Sequence, residues 1–136
     1  MAIRKVNYCY IKVPSRAGQA VKILGALKDA GVNLLAFSGF PIKGGKSQVD
    51  LVSNEIAGIR RVAKGQGWRL SKVKRGFLAT GSDRVGAVHS VLAKLAKKNI
   101  NVTAVDAVAA SKKQFGMIFW VNPSNYRRAA STLKAK

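Results

Sequence analysis

The chain repeats itself at a constant offset of 68 residues, with no gap. Gly18 falls on Gly86, Leu24 on Leu92, Leu27 on Leu95, Asn33 on Asn101, Ala36 on Ala104 and Asn54 on Asn122. Around these identities the chemistry is matched: Ile23 with Val91, Val32 with Ile100, Val49 with Met117, Leu51 with Phe119. Solenoid units are shorter, roughly 20–50 residues. The period therefore describes one small α+β unit used twice. Two like units also make room for a site that neither builds alone.

With 136 residues in all, each copy lies near the lower limit for independent folding, roughly 60 residues. The copies are expected to share a core or a sheet. Hydrophobic residues make up 48% of the chain, enough to bury a core and too many for a disordered one. No apolar run approaches the roughly 18 residues of a membrane span. Arg4, Lys5 and Lys12 interrupt the first apolar residues, which makes a poor secretory signal. Cys9 stands alone, so there is no internal disulfide and no cysteine-built metal cluster. A cytoplasmic protein is expected.

The charge balance is extreme: 25 Lys and Arg against five acids, Asp29, Asp50, Glu55, Asp83 and Asp106, for a net charge of +20. Such a chain attracts polyanions and repels itself. The basic residues are spread along its length, with short clusters at Arg60, Arg61 and Lys64 and from Arg69 to Arg75. The charge limits the partners without naming one. Weak nucleic-acid binding through the basic surface is one expectation.

Val6 to Val13 reads as a strand, with Cys9, Ile11 and Val13 on one face and Tyr8 and Tyr10 on the other. After the loop at Ser15–Gly18, residues Gln19 to Ala30 read as a helix whose apolar stripe is Ala20, Ile23, Leu24, Leu27 and Ala30. Gly31 stops it. Val32 to Phe40 and Ser47 to Val52 are strands joined by a turn at Lys43–Lys46. Ser53 or Asn54 caps a second helix, which runs to about Lys64. Trp68 to Lys74 is a fourth strand. That order, βαββαβ, is the ferredoxin-like motif. The second copy replays it as strand Phe77–Thr80, helix Val85–Lys98, strands Ile100–Val108 and Phe115–Val121, and a last helix opened by Asn122 and Pro123. The counterpart of Trp68–Lys74 would begin only at residue 136. The second copy therefore lacks its own final strand.

Two places are kept between the copies. One is the strand-to-helix turn, Arg16-Ala17-Gly18 and Arg84-Val85-Gly86. The other is the approach to the second strand, Val32-Asn33 and Ile100-Asn101. A glycine at a strand-to-helix turn lets the chain bend and leaves amide N–H groups at a helix N-terminus, where a carboxylate or phosphate is favoured. An asparagine offers both a donor and an acceptor.

Ser15-Arg16-Ala17-Gly18 with Gly31-Val32-Asn33, and Asp83-Arg84-Val85-Gly86 with Asn99-Ile100-Asn101, resemble the ACT domain. In that family the loop after the first strand often reads Asp-Arg-x-Gly, and the second strand often opens Gly-x-Asn. The resemblance spans nearly the whole chain, twice. It implies a regulatory module that binds an amino acid or another small ligand, usually between paired domains. By the same resemblance, Ser15, Arg16, Gly18, Asn33, Asp83, Arg84, Gly86 and Asn101 would form the ligand sites. Ser15 departs from the acidic position that Asp83 keeps, so the two sites are expected to differ.

A second reading is a nucleic-acid module. The RNA-recognition motif has the same order of strands and helices, and stacks bases on aromatics of its third strand. Lys113, Phe115 and Gly116 fit its pattern on the matching strand, whereas Gln114 and Met117 break it. A stripe of Phe115, Met117 and Phe119 facing the core is the simpler account. Catalysis has little to draw on. His89 is the only histidine, the acids are scattered, and no metal-ligand set is spaced along the chain.

The sequence thus predicts an α+β protein of two ferredoxin-like, ACT-like units, 1–75 and 76–136, the second without its final strand. It is expected to be a stand-alone, non-enzymatic sensor of an amino acid or related carboxylate bound between units, needing no cofactor or metal. A homodimer is expected, because the unpaired edge of Phe77–Thr80 invites pairing.

Overall fold

The computed structural model describes residues 1–136. Six strands and four helices follow in the order β1 (Ala2–Pro14), α1 (Gln19–Asp29), β2 (Ala36–Ile42), β3 (Lys46–Val52), α2 (Ile56–Gln66), β4 (Lys74–Ser82), α3 (Ala87–Lys97), β5 (Val102–Ala110), β6 (Gln114–Val121) and α4 (Tyr126–Leu133), with a 3-10 turn at Pro123–Asn125. The α+β class and the ferredoxin-like order within each copy agree with the sequence. The chain divides into two compact units, Asn7–Lys74 and Met1–Val6 with Arg75–Lys136.

In the first unit, Asn7–Lys74, β3 lies between β1 and β2, antiparallel to both. Ile11, Val49 and Leu51 face inward from the strands and meet Ile23 and Leu27 of α1 and Ile59 of α2. Alternation along β1 and β3 sets this face. α1 ends in a Schellman motif: the Val32 N–H donates to the Leu27 carbonyl at 2.9 Å and the Gly31 N–H to Lys28 at 3.0 Å. Gly31 supplies the left-handed residue, at φ +71°. The same two bonds recur 68 residues on, from Ile100 to Leu95 and from Asn99 to Ala96. There Asn99 takes the left-handed place, at φ +55°.

The second unit copies this plan. β6 lies between β4 and β5, and Phe77, Met117 and Phe119 pack on Val91 and Leu95 of α3 and on Tyr126, Ala129 and Leu133 of α4. The rings of Phe77 and Phe119 stack with centroids 5.3 Å apart, and those of Phe77 and Tyr126 at 4.9 Å.

Three expectations are corrected here. Trp68 to Val73 is not a regular strand. It stays beside β1 through Trp68 and Leu70, which pack on the core, and through Ser71, whose N–H donates to the Tyr10 carbonyl at 2.9 Å. Arg75 and Gly76, between which the expected boundary of the two copies falls, lie inside one strand, β4. The strand Phe77–Thr80 has no bare edge, because β4 is hydrogen-bonded to β1 as well as to β6. The boundary moves accordingly. Met1–Val6 belong with Arg75–Lys136, and Ile3 packs against that unit's core. The final strand that the second copy lacks is supplied from the opposite end of the sequence. The edge argument for a homodimer therefore lapses.

Candidate functional site

Each unit has a groove beside the strand-to-helix turn. In the first unit it measures about 470 Å³, between the loop Pro14–Ala17, the first turn of α1, and Phe37, Gly39, Phe40 and Pro41 of β2. In the second it measures about 250 Å³, between Asp83–Val88 and Ala107–Ala109 of β5. The two grooves superpose in sequence. Ser15, Arg16, Gly39, Phe40, Pro41 and Ser47 line the first, and Asp83, Arg84, Ala107, Val108, Ala109 and Phe115, each 68 residues later, line the second.

The loop geometry behind them is copied bond by bond. The Ser15 N–H donates to the Gly45 carbonyl at 2.9 Å, and the Asp83 N–H to Lys113 at 2.7 Å. The Gln19 N–H reaches the Arg16 carbonyl at 3.4 Å, and Ala87 reaches Arg84 at 3.2 Å. Gly18 and Gly86 sit at the helix N-caps with φ +89° and +81°, where a side chain would be strained. Neither helix has a side-chain cap or an acidic residue in its first turn. The partial positive charge at these N-termini is thus not neutralised from within the helix.

The grooves differ in what fills them. In the first, the Ser47 hydroxyl donates to Ser15 Oγ at 3.0 Å, leaving a small polar floor. In the second, the buried ring of Phe115 replaces Ser47, and Asp83 puts a carboxylate where Ser15 has a hydroxyl. The first groove is the roomier and carries Arg16 with no carboxylate in its lining. The expected difference between the two sites has this physical form.

Asn33 and Asn101 lie elsewhere. They follow the C-termini of α1 and α3, whereas Gly18 and Gly86 stand at the N-termini. Each helix has eleven residues, about 16 Å at 1.5 Å per residue. That exceeds the span from carboxylate to amine in an amino acid. Asn33 is engaged with its own unit: its N–H donates to Glu55 Oε2 at 2.8 Å, and its carbonyl accepts from Ser53 Oγ at 2.7 Å. The structure therefore gathers Ser15, Arg16 and the turn at Gly18, and likewise Asp83, Arg84 and Gly86, but leaves the asparagines out of both grooves. Sequence reading missed Phe37 and Phe40, both more than a third exposed beside the first groove. Two phenylalanines flanking Ser38-Gly39 in a short strand were the available signal.

The base-stacking reading loses its platform. Phe115, Met117 and Phe119 are 5%, 1% and 0% exposed and belong to the second core, so no base can reach them. No group of three His, Cys, Asp or Glu side chains is placed to hold a metal ion. No helix is long and apolar enough to cross a membrane.

No protein-family model matches the chain, and no curated protein matches it by sequence. Solved structures do. A protein from Bacteroides thetaiotaomicron aligns over 97% of this chain and 88% of its own, at 14% identity and a TM-score of 0.81. The ligand-free regulatory subunit of aspartate kinase from Thermus thermophilus aligns over 98% and 93%, at 12% identity and 0.68. The alpha and beta subunits of an aspartokinase align over 98% and 95%, at 16% identity and 0.65. At such identities the likeness is one of fold alone.

Proposed function

We propose that this chain is a non-enzymatic regulatory protein that binds a small carboxylate, in the first instance an amino acid, in the groove at Ser15, Arg16 and the N-terminus of α1. The observation that carries the reading is the groove's recurrence, residue by residue, at the repeat offset. A ligand carboxylate would meet the Arg16 guanidinium and the uncapped amide groups ahead of α1. The phenylalanines of β2 would cover its apolar part. The second groove, smaller and carrying Asp83, would take a smaller ligand or none. Binding would act as a signal by favouring one arrangement of the protein over another.

The reading keeps a homodimer, now through β5. That strand is exposed along most of its length, with Val108 68% exposed, and strands with open edges tend to pair. Light scattering at physiological salt, where charges are screened beyond about 8 Å, should show a dimer that Val108→Lys dissociates.

Melting curves against the set of amino acids test ligand binding. A ligand at 100 times its dissociation constant adds about 2.7 kcal/mol, and Arg16→Ala should remove most of the rise. If no amino acid or carboxylate metabolite raises the melting temperature, the reading fails.

A further inference from the structure

β1 and the β2–β3 hairpin of the first unit frame a second cleft of about 500 Å³, lined by Lys12, Ile42, Lys43, Gly44, Lys46 and Gln48. It shares no residue with the groove at Arg16. Successive residues of a strand point to opposite faces. Val13, Ser47 and Val49 line the first groove, so Lys12, Lys46 and Gln48 point to the other side of the same strands. Lys12 is paired with Gln48 across β1 and β3, and Lys46 with Ile42 across β3 and β2. Lys12 and Lys46 are thus diagonal neighbours on one face, where like charges repel. A further ammonium stands close by: Lys12 Nζ and Lys74 Nζ both lie over the Tyr10 ring, 5.9 and 5.7 Å from its centroid. The carboxylate that β3 carries on this face, Asp50, is buried and accepts from Gln48 Nε2 at 3.0 Å.

The internal repeat acts as a control. In the second unit the counterparts of Lys12, Lys43 and Lys46 are Thr80, Ser111 and Gln114, all uncharged. The other hairpin keeps its lysines, Lys112 and Lys113, in the turn itself and not across the strands. The cluster is therefore a feature of one copy and not a consequence of the shared plan. We propose that this cleft binds a compact polyphosphate, either an inorganic one or the phosphate chain of a nucleotide. Three lysines lining one cleft suit an anion of several charges. A single carboxylate would leave most of the repulsion standing. Lysine ammoniums act as point charges with rotatable donors and do not demand the planar, forked geometry that arginine reads.

The test is calorimetric titration of the full chain with inorganic tripolyphosphate at physiological salt. Saturable binding of one ion per chain is expected. The Lys12→Gln, Lys46→Gln double variant should weaken it about tenfold or more. A control double variant on α3, Lys94→Gln with Lys97→Gln, should leave it unchanged, as should Arg16→Ala, so this site and the carboxylate groove fail separately. Melting curves of the variants establish that each is folded. ATP should bind as tripolyphosphate does and lose the same factor in the first variant; ATP binding that both substitutions spare overturns the proposal. So does an equal loss in the control, which would mean diffuse attraction to a basic surface, or the absence of saturable binding. Single-stranded RNA that outcompetes tripolyphosphate and depends on the same lysines would assign the cleft to a nucleic-acid backbone and overturn the small ligand.

Discussion

The backbone N–H of Lys136 donates to the carbonyl of Ile3 at 3.0 Å, tying residues from the two ends of the sequence into one unit. Ile3 is half-buried against the core that holds Phe77 and Phe119. The first strand residues thus take the place for which the second copy has no sequence of its own.

Removing Met1–Val6 should therefore loosen the second unit first. Hydrogen exchange is expected to lose protection in β4 and α4 while the amides of α1 keep theirs. The milder Ile3→Ala should cost about 1–2 kcal/mol, below the range for a fully buried isoleucine. Undiminished protection in β4 after the deletion would show that the strand is dispensable.

The two hairpin turns offer a stability test. Gly44 and Gly45 hold φ of +80° and +68°, and their counterparts Lys112 and Lys113 hold +60° and +55°. A side chain in this region costs roughly 1–2 kcal/mol, offset in part by glycine's greater freedom in the unfolded chain. Lys112→Gly and Lys113→Gly should each stabilise the protein by about 0.5–1 kcal/mol in urea denaturation. A loss of stability would show that the lysines contribute contacts outweighing the strain.

Tyr8 gives the pH dependence its sign. Burial, with the nearby Asp50 charge and then Tyr10, pushes its hydroxyl up to about 12 from 10.0. The folded state holds this proton more tightly than the unfolded chain does. The associated stability is complete below pH 10 and is lost as pH rises from 10 towards 12. Tyr8→Phe should remove that alkaline loss, seen as a smaller fall in melting temperature between pH 9.5 and 11.5 (about the window set by the two values). Parallel curves for the two proteins would refute the assignment.

Much of the fold was written locally. The stripe of Ile23 and Leu27, the stop at Gly31 and the repeat itself are short-range patterns, and the structure follows them. Strand partnership is not local. Ala2–Val6 carries Arg4 and Lys5 among its apolar residues, and no nearby pattern says that it pairs with β4, more than 70 residues on. Trp68–Lys74 reads as a strand in sequence, yet only Lys74 lies in one, for a related reason: the apolar residues before it are spent on packing, while few of their backbone groups join a ladder. At the site, recurrence picked out both the turn glycines and the asparagines. It could not tell a groove residue from one that serves the return of the chain, as Asn33 does through Glu55 and Ser53.

The split membership of β1 sets an order on biosynthesis. A ribosome delivers Met1–Val6 first, yet their partners, from Arg75 onward, arrive only after the whole of Asn7–Lys74 has been made. The intervening unit has all its own strands and helices by then and is free to form early. The opening strand must wait with its backbone donors and acceptors unpaired until β4 appears, and long-range closure of this kind is the slow part of folding. During that interval the nascent chain carries a β-strand without its partner, the kind of exposed edge that favours misassembly.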